Sequence, residues 1–255
     1  MKQLLMAAIV MISLASCKKS NDIKAPGGDD EVTTGKTVKH YYGTDLPVYR
    51  KYKYDNKNRL MEIETEMANE TFTYSGNTVS RVRKYKSDPT SEWSITGQLV
   101  NGRIETGTFV QKVGGTTLKG TVEFAYNSDG TLDRFKQISD NGKTTEIQNF
   151  WTNGNLTQVL QRFEDGTMFT YNISYANGKA DKQNLNMDIF QLDAMPQFSG
   201  KRSALLPTHV KMQSQGATNV DAAVTYQFDA DGNVTEQKFT GTLYSMTTLT
   251  MALAY

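Results

Sequence analysis

The chain has 255 residues, 28 of them basic and 27 acidic, for a formal net charge of +1. Setting aside Lys2, which falls in the leader described next, leaves 27 against 27, a neutral chain. That balance provides no basic stripe of the kind that binds phosphate backbones, so nucleic acid is not an expected partner. With a single cysteine, Cys17, neither a disulfide framework nor a cysteine-based metal site can form.

Residues 1–16 read as a signal peptide. Lys2 supplies a positive charge, and Leu4 to Leu14 form an apolar run broken only by Ser13. A membrane span needs about twenty apolar residues, so this run is too short to be one and fits a signal-peptide core. It ends in Leu14-Ala15-Ser16-Cys17. That tetrapeptide resembles a bacterial lipobox, in which cleavage before the cysteine exposes an N-terminal residue that carries acyl chains. The resemblance implies lipidation of Cys17 and a membrane as the first partner; an ordinary secretory signal is the alternative. Each buried acyl CH₂ adds roughly 0.8 kcal/mol, so several chains on one cysteine anchor a protein stably. Residues 17–37 follow as a tether: between Lys18 and Lys36 only Ile23, Ala25 and Val32 are apolar. Such a stretch cannot bury enough surface to order itself, and its reach is on the order of 25 Å. Residues 38–255 show no linker-like composition and are expected to form one domain.

That domain reads as all-β. Strand patterns appear at "YRKYKYD", "ETFTYSG" and "GTVEFAYN", and then a ruler of turn signals begins. Asp129-Gly130, Asn141-Gly142, Asn153-Gly154, Asp165-Gly166 and Asn177-Gly178 fall twelve residues apart. Asx-Gly is a strong hairpin signal because tight primed turns need positive φ. The spacing predicts four consecutive antiparallel strands, "TLDRFKQISD", "KTTEIQNFWT", "NLTQVLQRFE" and "TMFTYNISYA". In the last, Phe169, Tyr171, Ile173 and Tyr175 alternate with polar residues. The others carry apolar groups at both parities, Leu156 and Leu160 against Val159 and Phe163, Ile147 and Trp151 against Phe150. This predicts a curved sheet filled inside and partly covered outside.

The pattern breaks between Ala180 and Asp221. Leu185, Ile189 and Leu192 lie at helical spacing and Pro196 would stop a helix. A short helix with a long loop is therefore expected near 184–209, serving as a cap on the sheet or as a ligand lid. Strand patterns resume at "AVTYQFD" and end at "LTMALAY". The expected architecture is an up-and-down meander of roughly twelve to fourteen strands forming a barrel or a strongly curved sheet.

Candidate chemistry is sparse. Asp229-Ala230-Asp231-Gly232-Asn233 suggests a calcium loop, but aligning Gly232 with the invariant EF-hand glycine puts Gln227 first and Lys238 last. Calcium needs a bidentate carboxylate at that last place. The stretch shares its frame with Tyr126 to Leu132 and Tyr54 to Leu60: an aromatic residue, a polar turn, an aliphatic residue on the way back. That is a hairpin pattern. His40 and His209 are the only histidines, and neither a Gly-x-Ser-x-Gly elbow nor a His-Glu-x-x-His motif is present. A pair of carboxylates suited to glycoside hydrolysis depends on spatial separation and stays open. The 13 Tyr, 11 Phe and 2 Trp serve strand packing first, although exposed rings could stack on sugars. The C-terminal alternation of Leu249, Met251, Leu253 and Tyr255 looks like a closing strand of a membrane barrel. Against embedding stand Asp133, Arg134, Lys136, Glu146 and Arg162, read here on both strand faces, each costing roughly 2–4 kcal/mol in lipid near the midplane.

"YDNKNRL" resembles the Tyr-Asp repeat of Rhs-type proteins, with Asn58 in place of glycine. The lipobox, the "FTYSG", "FAYNSDG" and "YQFDADGNV" hairpins, and Gly200 to Pro207 ("GKRSALLP") together resemble a Bacteroidetes lipoprotein family of unknown function with a porin-like fold. The resemblance implies a β-barrel domain over Val38 to Tyr255 and an outer-membrane lipid anchor, with no catalytic residues to carry over. Surface-exported lipoproteins of that phylum carry acidic residues after the cysteine; Lys18 and Lys19 favour the periplasmic face. The expected role is a non-catalytic binding or scaffold module for a glycan, a lipid or another envelope protein. A carrier of an apolar ligand in a barrel cavity and a glycan hydrolase are the alternatives. Neither a metal nor a cofactor is expected.

Overall fold

The computed structural model describes residues 38–44, 49–57, 59–182, 200–215, 217–243 and 246–255. The strands run in chain order as β1 (His40–Gly43), β2 (Tyr49–Tyr54), β3 (Leu60–Thr65) and β4 (Ala68–Ser75). They continue as β5 (Thr78–Tyr85), β6 (Glu92–Val100), β7 (Arg103–Val113) and β8 (Thr116–Tyr126). Next come β9 (Leu132–Ser139), β10 (Thr144–Thr152), β11 (Asn155–Arg162) and β12 (Met168–Ser174). The last are β13 (His209–Ser214), β14 (Ala217–Phe228), β15 (Val234–Leu243) and β16 (Met246–Ala254). Each pairs antiparallel with its sequence neighbour, and β1 pairs with β16 to close the barrel. The sixteen strands among the described residues exceed the expected roughly twelve to fourteen, because four- and six-residue strands such as β1 and β13 are too short to show a period.

The four meander strands are β9 to β12. Their turns are of two kinds. Asn153-Gly154 has positive φ at both positions, 51° and 72°, the conformation of a two-residue primed turn. Asp129-Gly130, Asn141-Gly142 and Asp165-Gly166 instead sit in five-residue loops, closed by bonds such as Asn127 N–H to the Thr131 carbonyl. In each, the Asx side chain accepts an amide two residues on: Thr131, Lys143 and Thr167. The fifth mark, Asn177-Gly178, is a correction, since it turns the chain into the cap rather than into a hairpin.

The mixed parity of the meander strands has one physical cause. Gln158 pairs with Phe150 and Leu156 with Trp151, so Thr157 is an extra residue that resets which side chains face in. Leu156 and Val159 are therefore both fully buried, and Phe150 lies outside at 42% exposure. Asp133 is the extra residue in β9, which brings Arg134, Lys136, Glu146 and Arg162 together on the outer wall rather than on both faces.

Inside, apolar side chains from β2 to β16 join one continuous cluster, from Tyr52 and Phe72 through Phe109 and Val159 to Met251. Sixteen strands about 4.8 Å apart and tilted near 40° would enclose a round tube roughly 16 Å in radius, too wide for side chains to fill. Here the walls close on one another. The glycines that allow it are half a turn of the ring apart. On β6–β8, a Cβ at Gly107 would lie 2.4 Å from the Thr96 carbonyl oxygen, and one at Gly120 1.9 Å from that of Ile138. On β15, Gly241 has φ 141° and a Cβ there would lie 2.2 Å from the Asp221 carbonyl oxygen. Strand-interior glycine at close backbone approach marks a sharp bend. At both places neighbouring backbones come too close for a side chain.

Candidate functional site

Cys17, the expected lipidation site, lies outside the described residues, as do Leu185, Ile189, Leu192 and Pro196 of the expected helix. What the structure places are the barrel's two ends, its interior and its outer wall.

The end where β1 begins and β16 finishes, called here the terminal end, carries a ring of aromatic donors. Tyr54, Tyr74, Tyr126, Trp151, Tyr175, Tyr226 and Tyr255 each stand within two residues of the finish of an even-numbered strand. They donate to the carbonyls of Val38, Leu60, Ile104, Leu132, Leu156, Pro207 and Val234, at or near the start of the preceding strand. Only β6, which finishes with Leu99 and Val100, breaks the series among the described strands. At Leu60, Leu132, Leu156 and Val234 the acceptor lies beside an extra residue that interrupts the ladder. A carbonyl freed there needs a partner, and an aromatic with a polar tip supplies one while its ring packs on the core. The shared frame of Tyr54 to Leu60, Tyr126 to Leu132 and Tyr226 to Val234 is the sequence trace of this ring. Tyr126→Phe is expected to cost about 1 kcal/mol, read as a shifted urea midpoint at unchanged slope.

A cap crosses the same end. Lys201 N–H donates to the Gly130 carbonyl, Ala204 N–H to that of Gly154, and Leu205 N–H to Asn155 Oδ1. Ser203, itself buried, accepts from Leu156 N–H at 2.9 Å, and Leu206 is 1% exposed. Gly200 has φ 86°, and a Cβ there would lie 2.5 Å from the Gly130 carbonyl oxygen, so only glycine passes. The "GKRSALLP" motif thus spans β8 to β13 as an extended strap, within the part of 184–209 expected as loop; the expected helix lies outside the described residues.

The loop at Asp229 is a turn that uses up its own carboxylate. Oδ1 accepts from Asp231 N–H and Asn233 N–H, and the Asn233 amide donates to both oxygens. Asp55 does the same for Lys57 and Arg59 N–H. "FDADGN" and "YDNKNR" are one loop type, built around an aspartate that caps the turn.

His40 is half-buried against Tyr42 at 4.9 Å; burial and then Lys51 lower its pKa. His209 Nε2 lies 2.8 Å from Asp221 Oδ1 on the outer wall, beside Lys211. Each stands as a packing or surface histidine.

The group missed from the sequence is inside the barrel. Glu70 on β4 is 2% exposed, and its Oε2 accepts from Arg81 Nη2 at 2.7 Å and Nε at 3.0 Å. Arg83 Nε donates to the other oxygen at 2.8 Å. The Arg81 guanidinium also lies 5.8 Å from the Phe72 ring and 5.4 Å from that of Trp93. Burial opposes the Glu70 charge, but Arg81, then Arg83 and Arg50, hold its pKa down at about 2. A signal existed: Glu70 shares the inward parity of Phe72, and Arg81 that of Val79. Among the described residues Glu70 is the sole buried carboxylate, so the interior offers no second acid for glycoside hydrolysis. Nor do inward side chains such as Ile95, Val122, Val159 and Met212, all at 0% exposure, leave room beside them for a lipid tail.

No family model matches the chain, and no curated protein matches it. Solved structures do. A porin-like protein from Bacteroides uniformis ATCC 8492 superposes with a TM-score of 0.60 at 17% identity, over 85% of this chain and 97% of that one. A porin-like protein from Bacteroides vulgatus ATCC 8482 gives 0.58 at 13% identity, over 86% and 98%. At such identities the likeness is one of fold, and it establishes this chain as an all-β, up-and-down closed barrel.

Proposed function

We propose that this chain is a lipid-anchored outer-membrane protein whose barrel stands in water as a non-catalytic binding or scaffold module. The observation that carries this reading is the sidedness of the barrel wall. A membrane-spanning barrel turns an apolar band outward and a polar surface inward. This one packs its apolar residues inside and sets Arg134, Lys136, Glu146 and Arg162 on the outer wall. Charges of that kind near the bilayer midplane cost roughly 2–4 kcal/mol each, so the wall favours water. Leu14 to Cys17 would then supply the membrane attachment that the wall cannot.

Cys17→Ser tests the anchor. Wild-type chain expressed with its leader in a Gram-negative host is expected to incorporate labelled palmitate and to pellet with membranes. The variant should lose the label. A wild-type chain that takes up no acyl label would end the lipidation reading. The binding role is tested on folded, anchor-free barrel with glycan arrays, lipid overlays and crosslinking to envelope proteins. Blank results in all three would count against a module of this kind.

A further inference from the structure

The outer wall of β8 to β11 carries a row of charges that the chain itself leaves unpaired. Glu123, Lys136, Glu146 and Arg162 stand in register across the four strands, each the partner of the next. Glu123 points outward because Val122 and Phe124 on either side are buried. Every residue of these strands is described. Elsewhere on the wall such neighbours close: Lys53 with Glu62, Lys86 with Glu64, and Lys84 and Lys112 with Glu92. None of the four in this row closes an ion pair among the described residues. Of the other charges nearby, Lys143 pairs with Glu164, Lys119 stands beside Asp140, and Asp133 accepts the Gln148 amide. Glu105 lies one strand farther out, on β7, and Arg134 belongs to the next row.

The signs alternate along the row: acid, base, acid, base. A twofold axis running along the strands between β9 and β10 lays such a row on its own reverse. Lys136 then meets Glu146 of a second copy, Glu146 meets Lys136, and each outer Glu123 meets Arg162. The neighbouring row, Ala125, Arg134, Gln148 and Leu160, fits itself in the same way. Ala125 meets Leu160, and Arg134 meets Gln148, whose amide nitrogen is already given to Asp133 and whose oxygen is left to accept. Neither row brings like charges together, and all contacts form under one operation, as an isologous interface requires.

We propose that this face pairs two copies of the chain in a twofold dimer, through ion pairs that form between molecules and not within one. The exposed Phe150 lies on the same face, next outward on β10 after Gln148, and gives the contact an apolar margin. Four strands about 4.8 Å apart present a narrow face, so the dimer belongs to the weak, transient class. Exposed charge pairs set its specificity and make it salt-dependent. The pairing goes beyond the binding or scaffold reading and does not depend on the anchor.

Residues 38–255 carry the closed strand order and the whole core, so the barrel without leader or tether is the probe. Sedimentation equilibrium at low salt, up to high micromolar concentration, is expected to show monomer and dimer, and added salt to shift the balance to monomer. Lys136→Glu and Glu146→Lys each set like charges opposite one another at two symmetry-related places. Each should raise the dimer dissociation constant about tenfold. Mixed in equal amounts, the two variants should dimerise again, because the new acid at position 136 faces the new base at position 146 across the axis. Both changes in one chain keep the same match and should restore dimerisation without a second species, which separates lost pairing from a fold that failed. Lys112→Glu, on β7 outside the row, should leave the equilibrium unchanged. The proposal is overturned by a wild-type barrel that stays monomeric at low salt or by reversals that leave the dimer intact. It is overturned equally if neither the mixture nor the double reversal recovers the dimer. Because the probe lacks Cys17, failure here would leave the acyl-label result untouched.

Discussion

Arg81→Ala is expected to destabilise the barrel by about 3–5 kcal/mol, the cost of leaving a buried partner charge uncompensated. Glu70 cannot reach water from its position at 2% exposure, and Arg83 alone would bond only one of its oxygens. Urea unfolding followed by tryptophan fluorescence reads the effect, since Trp93 lies beside Arg81. Removing both partners with apolar residues, Glu70→Met with Arg81→Met, should cost less than Arg81→Ala, because no orphan carboxylate remains. A single-variant cost below about 1 kcal/mol would contradict this account of the cluster. The same group sets an acid limit. The Glu70 pKa falls from its ordinary 4.5 to about 2 in the folded barrel. A depressed carboxylate contributes stability that is complete above its unfolded pKa and is lost as pH falls toward the folded one. The contribution is on the order of 3 kcal/mol and should disappear between about pH 4.5 and 2. In Glu70→Gln that part of the acid dependence should be absent.

Gly120→Ala is the second large effect. A Cβ at that position would lie 1.9 Å from the Ile138 carbonyl oxygen and 2.7 Å from the Phe109 ring, so β8 and β9 must move apart. Overpacking of this kind costs roughly 1–3 kcal/mol and more when the backbone is the obstacle. Amide exchange should quicken along the β8–β9 ladder, where Gly120 faces Ser139 and Thr121 faces Ile138. Thr121→Ala, on the outer wall of the same strand, should remain within about 0.5 kcal/mol of wild type. Equal behaviour of the two variants would remove the corner assigned to β6–β8.

Much of the barrel is written in local chemistry. Asx-Gly pairs need no distant partner to turn a chain, so the meander β9 to β12 could be read from spacing alone. The aromatic–turn–aliphatic frames of Tyr54, Tyr126 and Tyr226 were equally visible, and each marks a turn set between an aromatic and an aliphatic residue. The purpose of the aromatics was not visible. A tyrosine at the finish of one strand meets a carbonyl between 14 and 22 residues earlier, and only the closed ring brings the two together.

Parity was the limit of the strand reading. A single extra residue flips every side chain that follows, and the extra residues at Asp133 and Thr157 carry no mark that distinguishes them from their neighbours. Hence charges assigned to two faces lie on one. Glu70 and Arg81 sit at inward positions of β4 and β5, strands that pair without a shift, and their pairing shows only once the two strands are side by side. The strap from Gly200 to Pro207 was recognisable as a break in pattern, but its path is set by contacts with turns far away in the chain, Lys201 with Gly130 among them.

By itself the sequence determined an all-β chain and strands joined by short turns, because composition and turn preference are local properties. Only the tertiary structure decided that sixteen described strands close into one ring, and that an apolar cluster fills its interior around the Glu70–Arg81 pair. Those follow from which strands meet and which face is buried, and both are fixed by contacts between residues far apart in the chain.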